Sequence, residues 1–113
     1  MIARMWRGWA RSAADADAYE SHYRSEVLDS LQGVDGFVGA RLLRRAVGDG
    51  GAPDAAGAAG EVELTSVTFF DDLDAVRRFA GPGYEIAVVA EGARRVLSRF
   101  DEHVTHHDVA FTI

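Results

Sequence analysis

Residues 12–31 read SAADADAYESHYRSEVLDSL, and this stretch decides what the rest of the chain has to complete. Ser12 is followed three residues later by Asp15, the spacing of a capping box, so a helix starts directly after Ser12. Tyr19, Tyr23, Val27 and Leu31 recur every four residues behind it, an apolar stripe on a helix from about Ala13 to Leu31. Gly33, Asp35 and Gly36 then break the helix.

The segments on either side read as strands. Upstream, Ile2 to Trp9 is short, carries Met5, Trp6 and Trp9, and ends in the turn-like Ala10 to Ser12. Downstream, Phe37 to Val47 is rich in Val, Leu and Arg, and Glu61 to Phe70 holds Val62, Leu64, Val67, Phe69 and Phe70. Gly48 to Gly60 between them contains only glycine, alanine, aspartate and one proline. It has too little apolar side chain to pack and is expected to be a flexible insertion, a mobile hairpin tip. Asp71 or Asp72 then caps a short helix through Leu73, Val76 and Ala80, which Gly81 and Pro82 end. A further helical pattern follows Tyr84 in Val89, Ala93, Val96, Leu97 and Phe100, giving two short helices or one broken one. Phe100 to Ile113 mixes Val104, Val109, Phe111 and Ile113 with histidines and acids, which suits a last strand at an exposed or partner-facing edge.

The order strand, helix, strand, strand, helix, strand predicts an α+β chain: the ferredoxin-like split βαβ arrangement with a four-stranded antiparallel sheet. Helices in that fold cover one sheet face. Trp6, Trp9, Leu42, Leu43, Phe69 and Phe70 cannot all point to it, so a second subunit over the open face, making a homodimer, is expected.

Composition narrows the function classes. A chain of 113 residues is the size of one domain and buries roughly 65% of its unfolded surface. With 48% hydrophobic and 27% charged residues it is globular in composition. No apolar run approaches the ~18 residues of a membrane span, so a water-soluble chain without a membrane partner is expected. Arg4 and Arg7 interrupt Met1 to Trp9 before an export signal can form, and the expected location is cytoplasmic. Cysteine is absent, which excludes disulfides, thiolate nucleophiles and thiolate metal sites. The net charge of −6 argues against a nucleic-acid partner, which needs a basic face. All twelve basic residues are arginine, and asparagine is absent.

Three segments carry a resemblance. Met1-Ile2-Ala3-Arg4-Met5-Trp6-Arg7-Gly8, the stretch Arg77-Arg78-Phe79-Ala80-Gly81 with Tyr84-Glu85, and the run Leu97-Ser98-Arg99-Phe100-Asp101-Glu102 through His106 are similar to the antibiotic biosynthesis monooxygenase family of dimeric α/β barrels. The similarity spans nearly the whole chain except Gly48 to Gly60, where relatives have a tighter hairpin. That family holds cofactor-independent oxygenases of polyketide aromatics, haem-degrading enzymes and proteins of unknown role. The haem-degrading members use a strand-one asparagine, a second-helix tryptophan and a histidine shortly after it. Here asparagine is missing, Phe79 stands near the tryptophan position, and Ile86 to Ala90 contains no histidine. The resemblance therefore implies a cofactor-independent monooxygenase, or a related pocket enzyme, acting on a small aromatic or polyketide-like substrate with no cofactor. The polyketide-type apparatus of asparagine, tryptophan, tyrosine and arginine is matched only in part, with Tyr84 its best surviving candidate. Two other readings stay open: a silent module binding a small hydrophobic ligand, and a structural dimerisation domain filled by Trp6, Phe69 and Tyr84. An open cavity on the order of a few hundred Å³ separates the pocket readings from the last one.

Oxygenation without a cofactor needs a substrate that loses a proton easily, because the resulting carbanion or phenolate itself reduces dioxygen. The protein must supply a dry aromatic pocket, a base near neutrality and a group that stabilises the anion. His106, at a recurring family position, and His22, beside the Tyr19 and Tyr23 stripe, are the candidate bases; each is otherwise an ordinary exposed or hydrogen-bonded histidine. Tyr84, after Gly81-Pro82-Gly83, either places a phenol at the pocket mouth or closes a hinge over the core. Trp6 and Trp9, three apart, point to opposite strand faces, so at most one lines the pocket while the other packs under the helices. Tyr23, Phe69 and Phe79 are the other candidate aromatic contacts. Arg41 shares a strand face with Leu43 and Arg45 and either steadies an anionic substrate or pairs with acids. Of His103, His106 and His107, only His103 with His107 can share a strand face, as can His106 with Asp108, and no third ligand is visible, so no metal site is expected.

Overall fold

The computed structural model describes residues 1–47 and 60–113, and its centre is β1 (Ile2–Ala10), which pairs with three other strands. The expected hairpin tip lies outside the described residues apart from Gly60 at its downstream end. β3 (Val62–Phe70) runs antiparallel along one side of β1, with Ile2 opposite Phe70 and Ala10 opposite Val62. β2 (Phe37–Ala46) pairs with the far side of β3. The other edge of β1 is shared by two short strands, β4 (Leu97–Phe100) at its end and β5 (Thr105–Asp108) at its start. The result is a five-stranded antiparallel sheet of order β2-β3-β1-β4, with β5 beside β4, in an α+β ferredoxin-like fold.

Residues 13–32 form one continuous helical path: α1 (Ala13–His22), a π-helical turn (Tyr23–Val27) and α2 (Leu28–Gln32). Ser12 caps it, its hydroxyl accepting from the Asp15 amide at 3.2 Å. The π turn explains how a stripe repeating every four residues stays buried. On a regular helix each four-residue step drifts about 40°, or about 120° from Tyr19 to Leu31. The wider i→i+5 turn takes up part of that drift. Tyr19, Tyr23 and Leu31 are all buried.

α3 (Leu73–Ala80) is capped by Asp72, whose carboxylate accepts from the Ala75 amide at 2.9 Å, and Gly81 ends it. α4 (Glu91–Val96) follows after an irregular stretch. The helices cover the sheet face that presents Arg4, Trp6, Gly8 and Ala10 from β1, and Leu64 and Phe70 from β3. Ala10, Tyr19, Tyr23, Leu64 and Leu97 pack together beneath α1 and α4, while Leu31, Phe70 and Val76 pack beneath α3. Full burial of a side chain such as Leu64 or Phe70 contributes roughly 1.5–3 kcal/mol. Trp6, Leu42 and Phe70 thus face the helices, and Trp9, Leu43 and Phe69 face away.

Two expectations are corrected at the end of the chain. The helical pattern expected through Phe100 stops at Val96, because Leu97 to Phe100 gains backbone pairing with Gly8 to Ala10 across a bulge at Trp9 and Ala10. Tertiary pairing overrides the local preference there. The single strand expected from Phe100 to Ile113 is interrupted at Asp101 to Val104. Trp6 donates its indole N–H to the Asp101 carbonyl at 2.7 Å, and the following residues bond to a different segment: Ala87 N–H to Glu102 at 2.8 Å and Val104 N–H to Glu85 at 2.9 Å. This interruption brings the irregular residues 85–90 over the sheet. Among the described residues no helix is long and apolar enough to cross a membrane.

Candidate functional site

A cavity of about 170 Å³ lies between the long helix, the sheet and the segment 87–90. Its floor is Arg4 and Trp6 of β1 with Ser66 and Thr68 of β3; Tyr19, His22, Tyr23 and Glu26 form the helical wall, and Phe79 closes the α3 side. The interior is therefore open, not filled by Trp6, Phe69 and Tyr84.

Trp6 owes its place to Gly8. A Cβ at Gly8 would stand 2.8 Å from Trp6 Cη2 and 3.1 Å from Leu97, so the indole fits across that position only because it carries no side chain. Tyr19 and Phe100 hold the ring from either side, with centroids 6.1 and 6.3 Å away.

His22 sits in the wall with its two nitrogens in different environments. Nδ1 lies 2.7 Å from Glu26 Oε2, one turn further along. Nε2 is buried and has no hydrogen-bond partner among the described residues. The carboxylate holds the proton on Nδ1, which leaves the Nε2 lone pair free in an apolar cavity. α4 backs this pair through Gly92, where a Cβ would come within 3.2 Å of His22 Nδ1 and 3.9 Å of Glu26 Oε2. Close by, the Tyr23 hydroxyl bonds to Ser66 Oγ at 2.9 Å. Burial pushes the Tyr23 phenol up against the opposing effect of Ser66, and burial, with Tyr23 nearby, pushes Tyr19 up too. Both phenols stay protonated at neutral pH.

Arg4 is buried, only 5% exposed. Its Nη1 donates to the Tyr84 carbonyl and to His106 Nε2 at 3.0 Å, and Nη2 reaches the Ile86 carbonyl at 3.4 Å. The guanidinium lies 5.8 Å from the Phe79 ring centroid. Burial lowers its pKa to about 10, so the group remains a cation at neutral pH.

The sequence-predicted residues fall into three groups. Trp6, His22, Tyr23 and Phe79 line the cavity together. His106 and Tyr84 stand behind Arg4, outside the cavity wall. The Nε2 lone pair of His106 is already engaged by Arg4, while burial first, then the Arg4 charge, lower its pKa. The Tyr84 ring packs edge-on against His106 at 5.2 Å and joins the core under α3, as a closing residue would, instead of reaching a pocket mouth. Trp9, Arg41 and Phe69 lie on the other sheet face and do not line this cavity. Trp9 does not pack under the helices either, because Trp6 holds that face.

Three contributors went unread in the sequence. Glu26 had a signal in its i,i+4 spacing from His22. Arg4 had one in sharing its strand parity with Trp6. Ser66 had none short of knowing the register that sets it opposite Trp6. Among the described residues no three histidine or acidic side chains converge as a metal site.

No family model and no curated protein matches this chain. Among solved structures it is similar to SnoaB, described as a cofactor-independent oxygenase from Streptomyces nogalater, with a TM-score of 0.55 and 19% identity over 99% of this chain and 96% of that one. At that identity the likeness shows a shared fold.

Proposed function

We propose that this chain is a cofactor-independent oxygenase-like enzyme for a small aromatic substrate, with His22 as its base. The observation that carries the reading is the buried, unpartnered Nε2 of His22 in the cavity wall, with Glu26 holding the opposite nitrogen. The shared fold with a cofactor-independent oxygenase supports the reaction class.

For an electron-rich phenol, Nε2 takes the hydroxyl proton and Glu26 stabilises the imidazolium through Nδ1–H. The phenolate gives an electron to dioxygen, and the radical pair joins at the ring carbon para to the oxygen. The peroxide anion takes the proton back from Nε2, and the hydroperoxide so formed loses water, breaking its O–O bond and the C–H bond at that carbon, and leaves a quinone. One phenol and one O₂ give one quinone and one H₂O, with all electrons supplied by the substrate. The protonated phenol of Tyr23, bonded to Ser66, can donate toward the developing oxyanion.

The test is oxygen consumption by metal-stripped, haem-free protein with 1-naphthol, alongside boiled protein. One O₂ consumed per 1,4-naphthoquinone formed, with a 10²–10⁴-fold drop in His22→Gln, is expected on general-base grounds. An absence of protein-dependent uptake, or an undiminished rate in His22→Gln, overturns the assignment.

The same reading takes residues 1–113 as one domain working as a homodimer. Met5 and Leu43 on the uncovered sheet face are 36% and 52% exposed, and Phe69 and Val67 adjoin them, an apolar strip that a second copy would cover. Sedimentation at micromolar concentration should give twice the monomer mass, and a monomer there refutes the pairing.

A further inference from the structure

Among the described residues, seven of the twelve arginines stand within ion-pair distance of a carboxylate, at partly or fully exposed positions. Arg4, the buried one, has no such partner among the described residues. Its contacts are two backbone carbonyls and a histidine nitrogen, none of which carries the opposite charge. A guanidinium has five N–H donors. Contacts on Nη1 and Nη2 leave Nε–H and one Nη2–H without a partner among the described residues. The Nε–H edge of a guanidinium, with the Nη2–H beside it, is spaced to match the two oxygens of a carboxylate.

We propose that the cavity takes a small aromatic carboxylate of one or two fused rings, its carboxylate seated on this free edge of Arg4. The proposal rests on reading the cavity as a ligand site and does not require that the ligand be oxygenated. Trp6, Tyr19 and Phe79 supply the aromatic walls, and Phe79 lies beside Arg4 itself. A dry cavity of about 150 Å³ holds benzene. The 170 Å³ here is on the same scale and suits one ring or a fused pair. A monoanion fits better than a phosphate, because among the described residues Arg4 is the one arginine in the lining and Glu26 opposes a second negative charge. A phenolate, with a single oxygen, would leave half of the donor pair unused.

The experiment is calorimetric titration of the whole chain with 2-naphthoate and with 2-naphthamide, which has the same shape and no charge. The naphthoate should bind at least tenfold more tightly. In Arg4→Met that preference should fall below threefold while the amide keeps its affinity, with the fold checked by circular dichroism. If Arg4→Met does not fold, the wild-type pair still decides. Equal affinities, tighter amide binding, or no binding of either overturns the proposal, as does a preference that persists in folded Arg4→Met. Naphthoate preference without oxygen uptake from 1-naphthol keeps this inference and defeats the oxygenase reading. His22-dependent uptake without the preference does the reverse.

Discussion

β1 carries an arginine and a tryptophan on each of its two faces, and the two pairs are settled in different ways. On the uncovered face Trp9 is 7% exposed although no helix lies over it, because two guanidiniums cover its ring, Arg99 at 4.0 Å and Arg7 at 5.2 Å. Each of those arginines also has an acid, Glu61 at 2.9 Å for Arg99 and Asp101 at 3.1 Å for Arg7. Hydrogen bonding from Arg99 holds the Glu61 carboxyl below its usual range. On the helix face Trp6 borders a cavity, and Arg4 has carbonyls but no acid. One side satisfies its own charges; the other leaves a cation and a histidine lone pair around empty space. Exposure alone ranks the two tryptophans the wrong way for the proposed site, since the more buried Trp9 does not line the cavity that Trp6 borders.

Phe70→Ala removes a fully buried ring from the helix face and should cost about 3–5 kcal/mol. Met5→Ala on the other face should cost less than about 1 kcal/mol when both variants are unfolded from the dissociated monomer. Urea unfolding of both variants measures the difference, and similar losses would mean that the uncovered face is packed as heavily as the covered one.

A second contrast uses two glycines. Gly8→Ala drives a methyl into Trp6 and Leu97 and should cost about 1–3 kcal/mol while tilting the indole over the cavity. Gly39→Ala on β2 meets nothing within 4 Å and should be neutral to within about 0.5 kcal/mol. Tryptophan emission should shift in the first variant alone. An unshifted spectrum in Gly8→Ala would show that the ring does not lie across that glycine.

The parts legible in the sequence were those set by local chemistry: the Ser12 and Asp72 caps, the stripe from Tyr19 to Leu31, and the strand cores. The opposite facing of Trp6 and Trp9 was legible too, from strand alternation. Which face the helices would take was not, because it depends on pairing across many residues. Arg4 was passed over because an arginine in a strand reads as exposed, and its burial comes from Tyr84, Ile86 and His106, all some eighty or more residues away. His106 drew attention through its family position, yet its lone pair is spent on Arg4, a contact no local pattern signals. Leu97 to Phe100 was read as helix because β1, its partner, lies at the other end of the chain.

At the centre of the helix face stands the contact between Arg4 and His106. Nε2 accepts from Arg4 only while the imidazole is neutral. Burial and the Arg4 charge depress the folded-state pKa of His106 below its ordinary value of about 6.5. The unfolded chain therefore binds this proton more readily than the folded one. The stabilisation is complete above about pH 6.5 and is lost as pH falls through the lower folded-state pKa. In His106→Gln the amide oxygen can still accept from Arg4 but cannot titrate. Between pH 7.5 and 5 the wild-type urea midpoint should fall further than that of His106→Gln, since the two chains differ at this one group. Parallel curves would mean that Arg4 does not lean on His106, and would leave a further donor of that buried cation open to the cavity.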